Sequence, residues 1–595
     1  MKRSINKILA MLLMTVLILT GCSAKTDTQA ETGTDAQPAE SSSDTLTVSQ
    51  VLVDTEFTAR DLEVGYEEAT ATHITLKDSS IEVSGSGASA EGSLVTVQSE
   101  GSYVISGTLS DGQIIVDAGA SDKIQLIFEG VDITNNHQAA VYIKSADKVF
   151  LTLQEGTENS LADGKEYVQT DDNTVDGVIY SKADLTLNGA GTLTITANYK
   201  HGIVSKDDLV ITGGNYNITA VKDALNGKDC VKIKDGTFTL SAAEGNGIQS
   251  KNDEDSTKGY VYINGGNVTI TNCQEGIEGT VIMIAGGEIA ITSQDDGLNA
   301  ASAITSAEAQ AIPDMQTVPD TQTAPNTQTA PNTQTVPDTQ GADKLSADTD
   351  ATVPADITSG ATVEDAANGS AGAAADENAA GRRPGSGMPA GGAPDGNMGR
   401  GGFGGDMGNN TDCYIEISGG TITINAEGDG IDSNGSLKIT GGMLYINGPT
   451  MSGNGSLDYN GTGEITGGTV MVAGSAGMAM GFSDTSTQYS LLYNLSAAVE
   501  ANQVVTLTDP DGNKMVSFVP TKNYQSVVIS SPELKQGVTY HLTCGDQSYE
   551  VTLSSISTSA GEQGAGGFGQ RGMGGQGSPD RTNWGENSNG SSSGN

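Results

Sequence analysis

Short runs of alternating apolar and polar residues, each interrupted by a glycine-containing pair, organise the middle of this chain. Leu209-Val210-Ile211-Thr212-Gly213-Gly214-Asn215-Tyr216-Asn217-Ile218 is followed by Val231-Lys232-Ile233-Lys234-Asp235-Gly236-Thr237-Phe238-Thr239-Leu240. The pattern returns at Val261 to Ile270, Ile282 to Ile291, Ile415 to Ile424, Leu437 to Ile446 and Glu464 to Val472. Period-two alternation inside each run marks a half-buried strand. The second glycine of the pair falls at 214, 236, 266, 287, 420, 442 and 468, in steps of 22, 30, 21, 133, 22 and 26. An antiparallel sandwich needs no turn at one fixed position of every unit, whereas a solenoid stacks each turn on its predecessor. Glycine at such a corner supplies the positive-φ bend of a coil. The pattern predicts an all-β chain wound as a right-handed parallel β-helix.

The step of 133 residues is longer than an ordinary period by about 111. The excess holds a hexapeptide tract, Gln316-Thr317-Val318-Pro319-Asp320-Thr321 and its echoes, then a Gly/Pro/Met/Arg stretch around Gly381 to Asn410. Such sequence buries too little apolar surface to offset its chain entropy, so 302–411 is expected to be a disordered insertion. Less regular coils are visible at His73 to Val83, Val95 to Thr108, Ile114 to Val116, Ile124 to Ile133 and Val141 to Leu153. Towards the C-terminus, Asp509-Pro510-Asp511-Gly512 between two alternating runs reads as a hairpin turn. The expected order is therefore a leader over 1–21, a disordered linker over 22–70 and the first part of the β-helix over 71–301. The insertion over 302–411, final coils over 412–484, a small antiparallel β module over 485–556 and a disordered Gly/Ser-rich tail over 557–595 follow.

The N-terminal residues carry an address. Lys2, Arg3 and Lys7 precede an apolar run from Ile8 to Leu19, closed by Leu19-Thr20-Gly21-Cys22. This is a secretory signal peptide with a lipoprotein cleavage box, too short for a span of roughly 20 residues. Cys22 is the expected lipidation site, and the two acyl chains of one diacylglyceryl thioether suffice for stable anchoring in a lipid bilayer. The expected location is the extracellular face of the cell membrane. Composition fits an exported body: the formal net charge is −45, from 74 acidic and 29 basic residues, which argues against nucleic acid as a partner. Cys230, Cys273, Cys413 and Cys544 are too few and too scattered for a disulfide framework and read as isolated thiols.

Each repeat also ends in a second motif: Asp223-Ala224-Leu225-Asn226, Asn246-Gly247-Ile248-Gln249, Glu275-Gly276-Ile277-Glu278, Asp296-Gly297-Leu298-Asn299 and Asp429-Gly430-Ile431-Asp432. His201-Gly202-Ile203-Val204 holds the same slot one coil earlier. Singly, Asp-Gly and Asn-Gly are ordinary turn chemistry. Stacked at ~4.8 Å per coil, two carboxylates repel by about 3 kcal/mol at an effective dielectric near 20. A column of them needs a cation, a proton or splayed side chains. Oxygen-only donors suit calcium, and the scarcity of His and Cys argues against zinc. The expected metal ligands are Asp223, Glu275, Glu278, Asp296, Asn299, Asp429 and Asp432, with Asn226, Asn246, Lys251 and His201 as weaker ligand-binding candidates.

These motifs, together with Gly112-Gln113-Ile114-Ile115-Val116-Asp117, Leu153-Gln154-Glu155-Gly156-Thr157-Glu158-Asn159, Lys206-Asp207-Asp208-Leu209-Val210-Ile211-Thr212-Gly213-Gly214 and Ser531-Pro532-Glu533-Leu534-Lys535-Gln536-Gly537-Val538-Thr539-Tyr540, carry a resemblance. The chain resembles bacterial β-helical carbohydrate-binding domain proteins related to family 9 pectate lyases, over most of 74–300 and 412–556. The resemblance implies a calcium-loaded β-helix that binds plant cell-wall polysaccharide, particularly pectic acid, with cellulose as a second ligand. Asn246 and Glu275 stand where that pattern has Asp, and His201 replaces an Asp or Asn. The expected protein is a monomeric, non-catalytic binder of acidic polysaccharide. A structural adhesin without a sugar ligand and a polysaccharide lyase are the alternatives. A lyase needs a base beside calcium, for which Lys200, Lys222 and Lys251 are nearest in sequence. Tyr199, Tyr216, Tyr260 and Tyr262 are the candidates for a sugar-stacking platform in coils without tryptophan.

Overall fold

The computed structural model describes residue 51 and residues 53–303, 410 and 412–562. The expected leader, the lipidation site Cys22, nearly all of the insertion and most of the tail lie outside the described residues. The described residues form an all-β chain of long parallel sheets with a small antiparallel sheet.

Each repeat contributes three strands. In one coil they are Leu225–Gly227, Cys230–Ile233 and Thr237–Ala242, and in the next Ile248–Ser250, Tyr260–Ile263 and Asn267–Cys273. Each pairs in parallel with its counterpart one coil on, giving three stacked faces. The apolar member of the period-two pattern points inward, so Ile218, Leu240, Ile270, Ile291, Ile424, Ile446 and Val472 form one register column. All seven are buried. The column passes from Ile291 to Ile424 without a break, so the long step in the sequence leaves the stack unaltered. The seven corner glycines all take positive φ, from 82° at Gly442 to 132° at Gly236. At Gly420 a Cβ would also lie 2.8 Å from Gly287 O of the preceding coil, so both conformation and space demand glycine there.

Both ends of the stack are covered by antiparallel pairs. Thr72–Lys77 pairs with Ser80–Ser84 and Ala88–Glu91 with Leu94–Val97; the His73 to Val83 segment expected as a coil is this first hairpin. At the other end Tyr524–Ser530 pairs antiparallel with Thr469–Gly474, terminating the parallel ladder as an exposed sheet edge must be terminated. Lys514–Phe518, Val505–Thr508, Thr539–Cys544 and Gln547–Thr552 form the four-stranded antiparallel sheet, with its own apolar core around Leu507, Tyr524, Tyr540 and Leu542. The final strand runs to Gly561, beyond the expected limit of 556. The four cysteines are free and buried.

One segment departs from expectation. Within the expected linker over 22–70, residues 53–66 and Val51 form a strap across the outer face of the coils. Asp61 is 2% exposed and its Oδ1 accepts from the Thr186 hydroxyl (2.7 Å) and lies 2.9 Å from Lys148 Nζ. Asp54 Oδ2 accepts from Lys232 Nζ at 2.8 Å, Phe57 stacks on Tyr262, and Val51 packs with Tyr260 and Val281. The strap is polar in sequence because its partners are buried polar and basic groups that need hydrogen bonds and countercharge.

Candidate functional site

The repeat-end motifs fall on the twelve-stranded face and its leading turn. They form two parallel columns. In the first, each side chain accepts the backbone N–H of its counterpart one coil on. Asp223 N–H donates to His201 Nδ1 (3.1 Å), Asn246 N–H to Asp223 Oδ1 (2.9 Å) and Glu275 N–H to Asn246 Oδ1 (3.1 Å). After Glu275 the series resumes with Asp429 N–H to Asp296 Oδ1 (2.6 Å) and Gly455 N–H to Asp429 Oδ1 (2.7 Å). Glu275 is where the series skips: its longer side chain reaches sideways instead, accepting from Asn299 Nδ2 at 3.0 Å. One acceptor atom of His201, Asp223, Asn246, Asp296 and Asp429 thus ties coil to coil, which is the turn chemistry any Asp-Gly offers. At Asp296 and Asp429 the other carboxylate oxygen remains for the site.

The second column, three residues on, runs Asn226, Gln249, Glu278, Asn299, Asp432 and Asp458 in strict register. Gln249 and Asp458 were absent from the sequence-derived set. Asp458 sits in Ser456-Leu457-Asp458-Tyr459, which lacks the leading acid and glycine of its neighbours.

Charge compensation divides the stripe. In its first half, His201 Nδ1 lies 3.2 Å from Asp223 Oδ2, Asn226 Nδ2 donates to Asp223 (2.7 Å), and Lys251 pairs with Glu278. Asn246 Nδ2 also donates to Glu278, at 2.6 Å. At Asp223 burial is outweighed by His201 first, then by the Asn246 backbone N–H and Asn226, which together hold its carboxyl below the usual range. In the second half, Asp296, Asp429, Asp432 and Asp458 have no basic partner within 4.0 Å among the described residues. Burial, then repulsion from Asp295, pushes Asp296 up to about 7. Burial, then Asp296, pushes Asp429 up to about 8, and burial, then Asp458, pushes Asp432 up to about 6. Glu275 rises to about 8 from burial and Glu278. Between them lies Asn299, 9% exposed, whose Oδ1 is buried without a hydrogen-bond partner. Buried amide oxygens are rarely left so. An unpaired oxygen donor among crowded carboxylates is the donor chemistry of a hard cation.

A second acidic group was not singled out from the sequence. Asp184, Asp207 and Asp208 bring carboxylate oxygens within 4.8 Å of one another, in a cavity of about 480 Å³ also lined by Asp147, Asp229, Lys258 and Tyr260. Asp184 and Asp208 begin equivalent strands of adjacent coils, and Asp207 is pushed up to about 7 by burial first and then by Asp184. The signal was available as acids preceding successive strands at one corner of the coil.

The lysines considered as bases are engaged. Lys200 lies 3.7 Å from Asp176 and Lys222 3.4 Å from Glu244, while Lys251 pairs with Glu278. Lys258 at the cavity is held above its ordinary pKa, chiefly by its hydrogen bond to Asp229, which makes it a poor proton acceptor. Of the candidate stacking residues, Tyr216 is 1% exposed inside the core and Tyr260 and Tyr262 are each 7% exposed. Only Tyr199 keeps a half-buried ring.

A family model described as carbohydrate-binding domain-containing protein matches residues 91–377. A carbohydrate-binding domain-containing protein of Acetivibrio thermocellus is 44% identical over 128 residues, 21% of this chain and 45% of the relative. The match thus spans less than half the length of that curated relative. Among solved structures, the polysaccharide lyase-like protein from C. thermocellum, a gadolinium derivative, is 35% identical. That likeness covers 38% of this chain and 90% of that one with a TM-score of 0.35.

Proposed function

We propose that this chain is a surface-anchored, calcium-dependent carbohydrate-binding protein for acidic, uronate-rich cell-wall polysaccharide. The carbohydrate class is supported by the similarity over residues 91–377 to carbohydrate-binding domain proteins. Calcium and an acidic ligand are supported by one observation: Asn299, whose buried amide oxygen has no partner, shares its stripe with the uncompensated carboxylates of Asp296, Asp429, Asp432 and Asp458, Asp432 being its direct neighbour one coil on. Asp296, Asp429, Asp432 and Asn299 would hold the ion. Its chemistry there is electrostatic: it turns part of an acidic face into one that accepts a uronate carboxylate. Without such a bridge a chain of net charge −45 repels a polyanion. The lysine pairings favour binding without catalysis. Acylation at Cys22 would hold the protein at the membrane, and the coil would be right-handed, as parallel crossovers are.

A second reading places the cation in the cavity of Asp184, Asp207 and Asp208, and the convergence of three carboxylate oxygens within 4.8 Å favours it. Retention on polygalacturonate gel, with and without chelator, tests both. Asp296→Asn with Asp429→Asn keeps the coil-to-coil acceptors and removes the charges, and should abolish calcium-dependent retention. Loss only in Asp184→Asn with Asp207→Asn moves the ion to the cavity. Equal wild-type retention with and without chelator refutes calcium bridging altogether.

A further inference from the structure

Aromatic side chains are scarce on the acidic stripe, and the structure leaves one of them in position to meet a ligand lying along it. Tyr199 and Lys200 form the turn immediately before His201, which heads the first column. The loop between Asp163 and Gly177, a lengthened corner of the preceding coil, folds back so that Tyr167 stacks on Tyr199, with centroids 4.4 Å apart and planes at 19°. The Tyr167 hydroxyl donates to Asp163 Oδ2 at 2.8 Å, which fixes that ring from behind. Lys200 Nζ lies over the Tyr199 ring, 5.3 Å from its centroid and 3.7 Å from Asp176, and its side chain is 37% exposed and able to move aside. Both rings are half-buried, so the pair is neither core, like Tyr216 on Phe238, nor covered by the strap, like Tyr262.

We infer that Tyr199, backed by Tyr167 and flanked by Lys200, is a stacking subsite for a pyranose ring of the acidic polysaccharide. The inference rests on the proposed function and adds a second point of attachment. A sugar presents an apolar C–H face to an aromatic ring, and a uronate carboxylate there would compete with Asp176, 3.7 Å away, for the Lys200 ammonium. His201 and Asp296 are four coils apart in the same column, about 19 Å at ~4.8 Å per coil. A ligand long enough to span that distance touches both the cation seat and the platform; a short one touches only the seat. Because Tyr167 already holds the stack, little side-chain freedom is lost on binding.

Calorimetric titration of the mature chain with oligogalacturonates of increasing length, in saturating calcium, tests this. Tyr199→Ala should weaken the longest oligomers roughly fivefold, about 1 kcal/mol, and leave the shortest unchanged. Tyr199→Phe should match wild type, and calcium affinity should be equal in all three. Should Tyr199→Ala lose its β circular dichroism, Tyr199→Leu keeps apolar bulk without the π face and carries the same comparison. A loss equal at every length, or no loss, overturns the subsite while leaving calcium bridging intact. Absence of binding by wild type itself overturns both.

Discussion

Replacing Asp429 by Asn should make the calcium-free protein more stable, which is the reverse of the usual result for a residue this buried. Asp429 rises from 3.8 to about 8 because of burial and the neighbouring Asp296. Between those values the folded chain binds a proton that the unfolded chain has released, so stability falls as pH rises from 3.8 towards 8. At pH 7 that amounts to about 4 kcal/mol at ~1.36 kcal/mol per pH unit. Carboxylates one coil apart, ~4.8 Å, repel by about 3 kcal/mol at a dielectric near 20. Burial is the larger cause of the rise and Asp296 the second, so this repulsion is a part of that figure and does not add to it. Asn keeps the Oδ1 that accepts Gly455 N–H at 2.7 Å, so only the charge is lost. In chelator at pH 8, Asp429→Asn should melt a few degrees above wild type. Calcium at about 100 times its dissociation constant should stabilise wild type by about 2.7 kcal/mol and the variant by much less. A variant less stable than wild type in chelator, or one that keeps the whole calcium increment, would refute the reasoning.

Asp61→Ala leaves Thr186 buried without its partner and half-buried Lys148 with only Asp184 at 4.0 Å, and should cost about 1.5–3 kcal/mol, seen as new protease cleavage within residues 53–66. Asp61 and Asp54 are both held below 3.8, so strap docking is fully stabilised above that pH and weakens as pH falls further; hydrogen exchange of the strap at pH 3 and pH 6 checks the direction. Deleting residues 304–409 should preserve the melting transition, because the ladder already runs unbroken from Ile291 to Ile424, and a deletion that melts lower would show that the segment supports the coil. Cys22→Ala should move the protein from the detergent phase to the aqueous phase on partitioning, with unchanged partition as the contrary result.

The stacked coils were legible in the sequence because one backbone requirement repeats: Gly236, Gly266 and Gly420 each need positive φ at the same corner. Inward Ile270, Ile291 and Ile424 fix the register between them. The acidic columns were legible for the same reason, since a fixed period puts Glu278, Asn299 and Asp432 side by side. What escaped is whatever departs from the period. Asp458 follows an irregular turn, and Tyr167 sits in a lengthened loop whose return onto Tyr199 has no repeat to announce it. The strap escaped for another reason. Its composition is that of a linker, and its order comes from side chains 178 residues away at Lys232 and 125 away at Thr186.

The strap also sets how the molecule bears tension. It runs against the stacking direction, with Val51 beside Val281, Asp54 on Lys232, Asp61 on Lys148 and the Val64 carbonyl near Gln125. A pull on the chain ahead of Val51 therefore peels contacts one after another rather than shearing them together. The first hairpin at Thr72 feels load only after the Asp61 lock has opened. Residues 53–66 then come free as a tether with a contour length of about 45 Å at ~3.3 Å per residue. If the chain is held at its N-terminus while its ligand is held by a moving wall, the strap is the shock absorber: it yields and lengthens, and it can re-dock when the tension falls, while the coils and their acidic stripe stay wound.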